Sequence, residues 1–280
     1  MAADTKTNAY LLGNATLMMT PFGNDPFALT PATDSIGMVK NIAMNVESDT
    51  IELRNGIQQI LVDSQKSNVR TTLSCEVYEF SAANLFRGLS LNRATVAPKR
   101  GKLKTALSGA SAQTTITVNT NPLPGDPNSG VSVIGDIPVG ATVMLQRANG
   151  EDDYVYPARV TAATTVATGD YTVTVAVPAG VAFAAGDNVW IVNEVPLGSQ
   201  DDQDFFSLKI AGTLSNYDKP VVMIIPKVKI SKGFQINFSE TDYGSMPFEF
   251  TPFYLNSSEA AVGRMAEIGT KKTGHTYIPG

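Results

Sequence analysis

This chain of 280 residues is short of reactive side chains: it holds one cysteine, one histidine and one tryptophan. A single cysteine excludes an intrachain disulfide. Cys75 lies in the alternating stretch Thr71-Thr72-Leu73-Ser74-Cys75-Glu76-Val77-Tyr78 and shares the parity of Leu73 and Val77. It reads as a small buried hydrophobe, since no basic partner accompanies it to make a reactive thiolate. His275 sits among glycines near the end of the chain and reads as a surface residue. With the two residues in separate contexts, neither a Cys-His pair nor a His-rich zinc site has support. Long apolar runs are also missing. Val221-Val222-Met223-Ile224-Ile225 stops at Pro226, far short of the roughly 20 residues that span a bilayer, so no membrane anchor is expected. The polar start Met1-Ala2-Ala3-Asp4-Thr5-Lys6 lacks the apolar core of a secretory signal, and the expectation is assembly in a reducing cytosol. The sequons at Asn14, Asn237 and Asn256 then read as chance matches.

Motifs that carry catalysis are absent too. No GxxxxGK[ST] phosphate loop occurs, and the glycines fall in turns instead of at strand-to-helix junctions. The acidic clusters Glu151-Asp152-Asp153 and Asp201-Asp202-Gln203-Asp204 lack the fixed glycine and closing glutamate of a calcium loop and read as solvated turns. The one basic cluster, Lys99-Arg100-Gly101-Lys102-Leu103-Lys104, has no interleaved aromatics; it reads as a boundary or contact strand, not a nucleic-acid patch. The sequence therefore predicts no catalytic residue, no metal and no cofactor, and a protein that is not an enzyme.

What the chain does have is apolar content, 43%, enough at this length to bury a core without staples, and an alternation that repeats along it. Tyr10 to Met19 is a candidate strand. In Met38 to Glu47, Ile42, Met44 and Val46 share one face while Asn41, Asn45 and Glu47 take the other, as in a half-buried strand. Ile51-Glu52-Leu53-Arg54-Asn55-Gly56-Ile57-Gln58-Gln59-Ile60-Leu61-Val62 holds an Asn-Gly signal between alternating runs, which predicts a β-hairpin. Val69 to Phe80 is long for a strand. One helix stands out: Ser81 is a fitting N-cap for Ala82 to Leu91, about three turns, with Leu85, Phe86 and Leu89 spaced to pack against a sheet.

From about residue 109 the texture changes to short Thr/Val-rich strands at Thr115–Asn119, Ser132–Ile134, Thr142–Gln146, Val155–Thr161, Tyr171–Val177 and Asn188–Val192. The Pro- and Gly-rich loop Asn121 to Gly130 interrupts them. Charge changes with texture: net +2 over residues 1 to 109, −6 over 110 to 200 and −1 over 201 to 280. After 200 the long-strand pattern returns in Phe205–Ile210, Val221–Ile225, Lys227–Phe238 and Pro247–Leu255, followed by a tail, Gly269 to Gly280, expected to be mobile in a monomer. This predicts an all-β fold with one short flanking helix. A sheet domain from 1–108 and 200–280 is interrupted by a small barrel or immunoglobulin-like domain at 109–199 whose ends lie close together. Long strands with one apolar face leave edges to satisfy, which copies of the same chain can do.

Several stretches resemble the tail tube proteins of tailed bacteriophages: Gly37-Met38-Val39-Lys40-Asn41, Val46-Glu47-Ser48-Asp49-Thr50-Ile51-Glu52-Leu53, and Glu76-Val77-Tyr78-Glu79-Phe80-Ser81-Ala82-Ala83-Asn84-Leu85. Gly244-Ser245-Met246-Pro247-Phe248-Glu249-Phe250-Thr251-Pro252 is similar to that family's closing strand region. The resemblance covers roughly the first 100 and last 80 residues and rests on order and spacing, since none of the motifs is chemically diagnostic. It implies a β-sandwich or barrel that forms hexameric rings, stacked into a virion tail tube assembled in the host cytoplasm with other tail proteins. DNA would pass through during ejection without specific binding. The hairpin from Thr50 through Ile51, Glu52, Leu53, Arg54, Asn55, Gly56, Ile57, Gln58, Gln59 and Ile60 to about Lys66 would match the family's stacking loop. Residues 109–199 depart from the compact family pattern and are expected on the tube exterior, where they would contact host glycans, stiffen the tube or be dispensable; a noncontractile tail fits that position better. Two rival readings are another virion subunit, of capsid or baseplate, and a glycan-binding β module.

Overall fold

The computed structural model describes residues 15–57, 59–95, 99–119, 132–133, 137–148, 154–167, 170–198, 202–214, 219–233, 235 and 244–278. The chain divides into two compact units, Met1–Arg93 with Gly198–Gly280, and Ala94–Leu197. The first contributes β1 (Thr16–Pro21), β2 (Val39–Asn55) and β3 (Ile60–Val77) before the chain crosses into the second. There it forms β4 (Lys99–Leu103), β5 (Gln113–Asn119), β6 (Ser132–Val133), β7 (Thr142–Gln146), β8 (Val155–Ala167), β9 (Asp170–Val177) and β10 (Asn188–Val192). It returns with β11 (Phe206–Leu214), β12 (Lys219–Lys232), β13 (Met246–Pro252) and β14 (His275–Tyr277).

The first unit is an open antiparallel sheet in the order β1-β11-β12-β13-β3-β2, with β14 laid on β12. Alternation decides which side chains face inward: Leu73, Cys75 and Val77 from β3 meet Met246, Phe248 and Phe250 from β13, and all are buried. Cys75 is a core hydrophobe, and burial pushes its thiol up to about 12. The first strand begins at Thr16; the expected residues 10 to 14 lie outside the described ones. The stretches 38–47, 51–62 and 69–80 are one continuous hairpin, not separate strands.

Pro226 does not end its strand. Between the pairs Phe206↔Val228 and Leu208↔Ile225 the ladder slips, leaving Pro226 and Lys227 opposite Ser207. A bulge residue needs no ladder N–H, so proline fits there. The Ser207 hydroxyl donates to the Pro226 carbonyl at 2.6 Å, and β12 runs on to Lys232.

The helix is shorter than its sequence pattern suggests. A four-residue helix, α1 (Pro31–Asp34), precedes β2; α2 follows β3, spans Ala82–Gly88 and is capped by Ser81, whose hydroxyl accepts from the Asn84 N–H at 3.3 Å. It stops because Leu89 leaves the helical region and Ser90 takes φ +60°. Phe86 is buried and Leu85 packs partly against the core, whereas Leu89 stays half-exposed beyond the helix end. The buried face also carries Asn84 and Gly88. Asn84 Nδ2 donates to the carbonyls of Ile36 (2.9 Å) and Glu79 (3.0 Å), which ties the helix to the loop before β2 and to the end of β3.

The second unit is a closed six-stranded barrel, β10-β7-β8-β9-β5-β4 and back to β10, with β6 lying parallel to β4. Val143, Leu145, Val173 and Val189 fill it, and closure removes free edges. An immunoglobulin-like sandwich is not what forms. The unit starts near residue 94 instead of 109, because β4, read in sequence as a boundary strand, supplies the stave that closes on β10 with Lys99 opposite Ile191. The loop Asn121–Gly130 and the cluster Glu151–Asp153 lie outside the described residues.

The chain's end is tied down, against expectation. β14 pairs with β12 through Val222↔Tyr277, Met223↔Thr276 and Ile224↔His275, so the histidine is a half-buried strand residue whose ring lies 6.0 Å from that of Tyr277, tilted by 57°. Ahead of it, α3 (Ser257–Ala260) begins with a reciprocal cap between Asn256 and Glu259, which gives the Asn256 side chain a structural use. Asn14 and Asn237 lie outside the described residues.

Candidate functional site

The most distinctive surface is the β2–β3 hairpin. Its root belongs to the sheet: Val39 faces Val77 and Met44 faces Leu73. Beyond Val46 the hairpin leaves the core. Thr50, Ile51, Glu52, Leu53, Arg54, Asn55, Gly56, Ile57, Gln59 and Ile60 are all exposed, and Gln58 lies outside the described residues. The register Ile51↔Gln65, Glu52↔Ser64, Leu53↔Asp63, Arg54↔Leu61, Asn55↔Ile60 carries the ladder to the tip. There Gly56 (φ +78°) makes the turn and the Gln59 N–H donates to its carbonyl at 3.0 Å. A two-stranded ribbon with both faces in water is marginal by itself, yet this one extends about ten residues past its last core contact.

Its composition is not that of a solvated arm. Ile51, Leu53, Ile60, Leu61 and Val62 are each more than half exposed and Ile57 is fully exposed. Burying one such side chain stabilises by roughly 1.5–3 kcal/mol, so a surface that covers several of them gains far more than the ribbon retains alone. Apolar residues also change face along β2. Met44 and Val46 share the core-facing parity, whereas Ile51 and Leu53 have the other parity, beyond the ladder irregularity between Glu47 and Asp49. On the Glu52 side, the Arg54–Glu52 ion pair (2.6 Å) is exposed on both partners and so adds little stability.

Along its outer side, β2 has no strand partner among the described residues. The opposite border, β1, is partly occupied by a bridge from Ser35 to Met18 and by the Ile36 N–H donating to the Leu17 carbonyl. Between the two borders lies a cleft of about 570 Å³, lined by Ala15, Val39, Ile42, Met44, Ile210 and Met223 among others. At the root, Glu76 accepts from Asn41 Nδ2 and from the Tyr78 hydroxyl, each at 3.0 Å, and Lys40 sits 4.7 Å over the Tyr78 ring. The hydrogen bond to Glu76 raises the Tyr78 phenol above its ordinary value.

Among the described residues, no group of three or more His, Cys, Asp or Glu side chains is placed to hold a metal ion, and no helix is long and apolar enough to cross a membrane. Asp204, read in sequence as part of a solvated cluster, works as a clasp: its N–H donates to the Ser90 carbonyl at 2.8 Å and its carboxylate accepts from the Asn92 N–H at 2.7 Å. Ser90, buried, accepts on its hydroxyl from the Ile230 N–H at 3.2 Å. The outgoing and returning segments of the first unit therefore meet side by side.

Of the residues expected to pack the helix, Leu85 and Phe86 lie on α2 and Leu89 just past it, and the described residues expected at the hairpin lie on β2, β3 and their turn; neither set forms a concave site. Sequence reading missed Asn84, Ser90 and Asp204, whose partners are far off in the chain. It also missed the exposure of Met38 and Phe80, which only the three-dimensional ending of the β2–β3 ladder reveals. No family model matches the chain, and no curated protein matches it in sequence.

Proposed function

We propose that this chain is a structural subunit, not an enzyme, that self-assembles into stacked rings as the tail tube of a bacteriophage. The observation that carries the reading is the long, projecting, apolar-decorated β2–β3 hairpin on an open sheet whose β2 border has no strand partner among the described residues. A free border and an uncovered arm are liabilities in a solitary protein and interfaces in a repeating one. The order of long hairpin, helix and closing strand in residues 37–91 and 244–252 supports the tail tube resemblance. In such a tube, hexameric rings would extend one another's sheets around a channel through which DNA travels. The barrel of residues 94–197 would ride outside it, because six such domains within would obstruct the lumen.

Negative-stain microscopy of the purified protein tests this. Stacked rings with an open channel are the expected result. Shells would indicate a capsid role, and monomers that bind a glycan array would indicate a recognition module; either replaces the tube.

A further inference from the structure

The barrel carries the chain's single tryptophan on its outside. On β10, Val189 and Ile191 are buried in the barrel, so Trp190 between them faces outward, half-buried. Directly paired rungs set a row across four strands: Arg100 on β4, Trp190 on β10, Met144 on β7 and Pro157 on β8. The Arg100 guanidinium lies over the Trp190 ring, 5.5 Å from its centroid. The next outward row holds Lys102, Asn188 and Gln146. Side-chain hydrogen bonds fix both rows: Trp190 Nε1 donates to Gln146 Oε1 at 2.8 Å, and Lys102 Nζ donates to Asn188 Oδ1 at 2.6 Å. With their carbonyls accepting, the two amides keep N–H donors for a ligand's oxygens, and the ammonium keeps donors of its own. The aromatic side chain that the basic cluster lacks in sequence is thus supplied from across the ladder.

Charge on this face is uneven. Burial and then the Arg100 charge lower the Lys102 pKa, with Asp187 opposing them. The two cations are held close enough to repel, and an anion between them relieves that repulsion. Asp187 is itself buried, and its carboxylate accepts from the Ala148 and Ala184 N–H groups at 3.0 and 2.7 Å. Glu194 stands toward the opposite end, where it accepts from the Thr142 hydroxyl at 3.1 Å on the rung that pairs Thr142 with Arg159.

The class of partner follows from the fold. The outside of a barrel is convex, which suits an extended chain better than a small molecule in a cleft. A closed barrel has no free edge through which to pair a peptide backbone. Two cations, in a stretch whose residues 110 to 200 carry net −6, do not neutralise a run of phosphates. What remains is recognition by side chains alone: an apolar ring for the C–H face of a sugar, amide N–H groups for its hydroxyls and paired cations for its carboxylate. We infer that the β4-β10-β7 face of the barrel binds an acidic polysaccharide, with a sugar ring against Trp190 and its carboxylate between Arg100 and Lys102. This goes beyond the tube reading and does not need it; on a tube with the barrels outside, each copy would present one such face.

Because Trp190 is the only tryptophan, its fluorescence reports this face directly. The full chain is titrated with polygalacturonate, alginate, hyaluronate and polysialate, with neutral dextran and a single-stranded DNA oligonucleotide as controls. At least one acidic glycan is expected to change the emission saturably. Arg100→Ala and Lys102→Ala should each weaken that binding roughly tenfold with circular dichroism unchanged, and added salt should weaken it in the wild-type chain, which needs no variant. An emission that none of the four glycans alters would overturn the inference. So would dextran or DNA binding as tightly as the acidic glycans, or binding that ignores both salt and the two substitutions. Stacked rings that bind no acidic glycan would remove this face and leave the tube; monomers that bind one through Arg100 and Lys102 would remove the tube and leave this face.

Discussion

Gly88 and Gly233 meet backbone to backbone: a Cβ placed on Gly233 would stand 2.8 Å from the Gly88 Cα. This contact seats the last turn of α2 on the end of β12, and the same helix carries buried Phe86 and Asn84. Gly88→Ala is expected to lower stability by about 1–3 kcal/mol, because neither main chain can retreat without disturbing the sheet. Urea unfolding checks it; an unchanged midpoint would show that the two segments are not held together in solution.

Serine in place of Leu53 and Ile60 should separate assembly from folding. Both side chains are about 61% exposed in the single chain, so monomer stability should change by no more than about 0.5 kcal/mol. Sedimentation velocity should show loss of the large species. Equal losses in melting temperature and in assembly would mean that the hairpin is covered within its own chain.

Removing residues 94–197 and joining the ends by a short Gly/Ser link should leave the open sheet folded. The Ser90, Asn92 and Asp204 contacts already hold the two cut ends together. The excised barrel, closed by β4 against β10, should unfold cooperatively by itself in calorimetry. A broad, non-cooperative melt of the excised fragment would refute its independence.

Acid should weaken the C-terminal portion through one ion pair. Burial alone would raise the Glu259 carboxyl, but the Lys227 ammonium at 2.6 Å and the Asn256 N–H outweigh it and hold the group below its ordinary 4.5. A carboxyl depressed on folding stabilises above its unfolded value and loses that contribution as pH falls through its folded value. The melting temperature should therefore drop below about pH 4.5, and Glu259→Gln should remove that part of the slope while lowering stability at neutral pH. Parallel pH profiles for the two proteins would disprove the assignment.

Much of the fold was legible in strict alternation. Leu73, Cys75 and Val77 against Met246, Phe248 and Phe250 needed only parity, and Ser81 announced its helix because capping is local. What escaped was decided by distant partners. Pro226 reads as a strand stop until Ser207 is seen opposite a bulge, and Lys99 to Leu103 reads as a basic boundary until β10 claims it as a barrel stave. The three-residue strand at His275 carries no periodicity, and only β12 gives it a place. At the hairpin, Asn55-Gly56 marked the turn, but the length of the arm depended on residues 39–47 and 69–77 joining one ladder. The exposure of Met38 and Phe80 had no local signal, since both are apolar residues within alternating runs that read as strand.

The clasp of Asp204 on Ser90 and Asn92 bears on engineering as well as on folding. It makes the sheet indifferent to what is spliced between its two ends, provided the passenger's termini emerge about one strand spacing apart, near 5 Å. A nanobody-sized or enzyme payload meeting that condition could be grafted in place of the barrel, and each copy in a polymer would then display one at a regular interval.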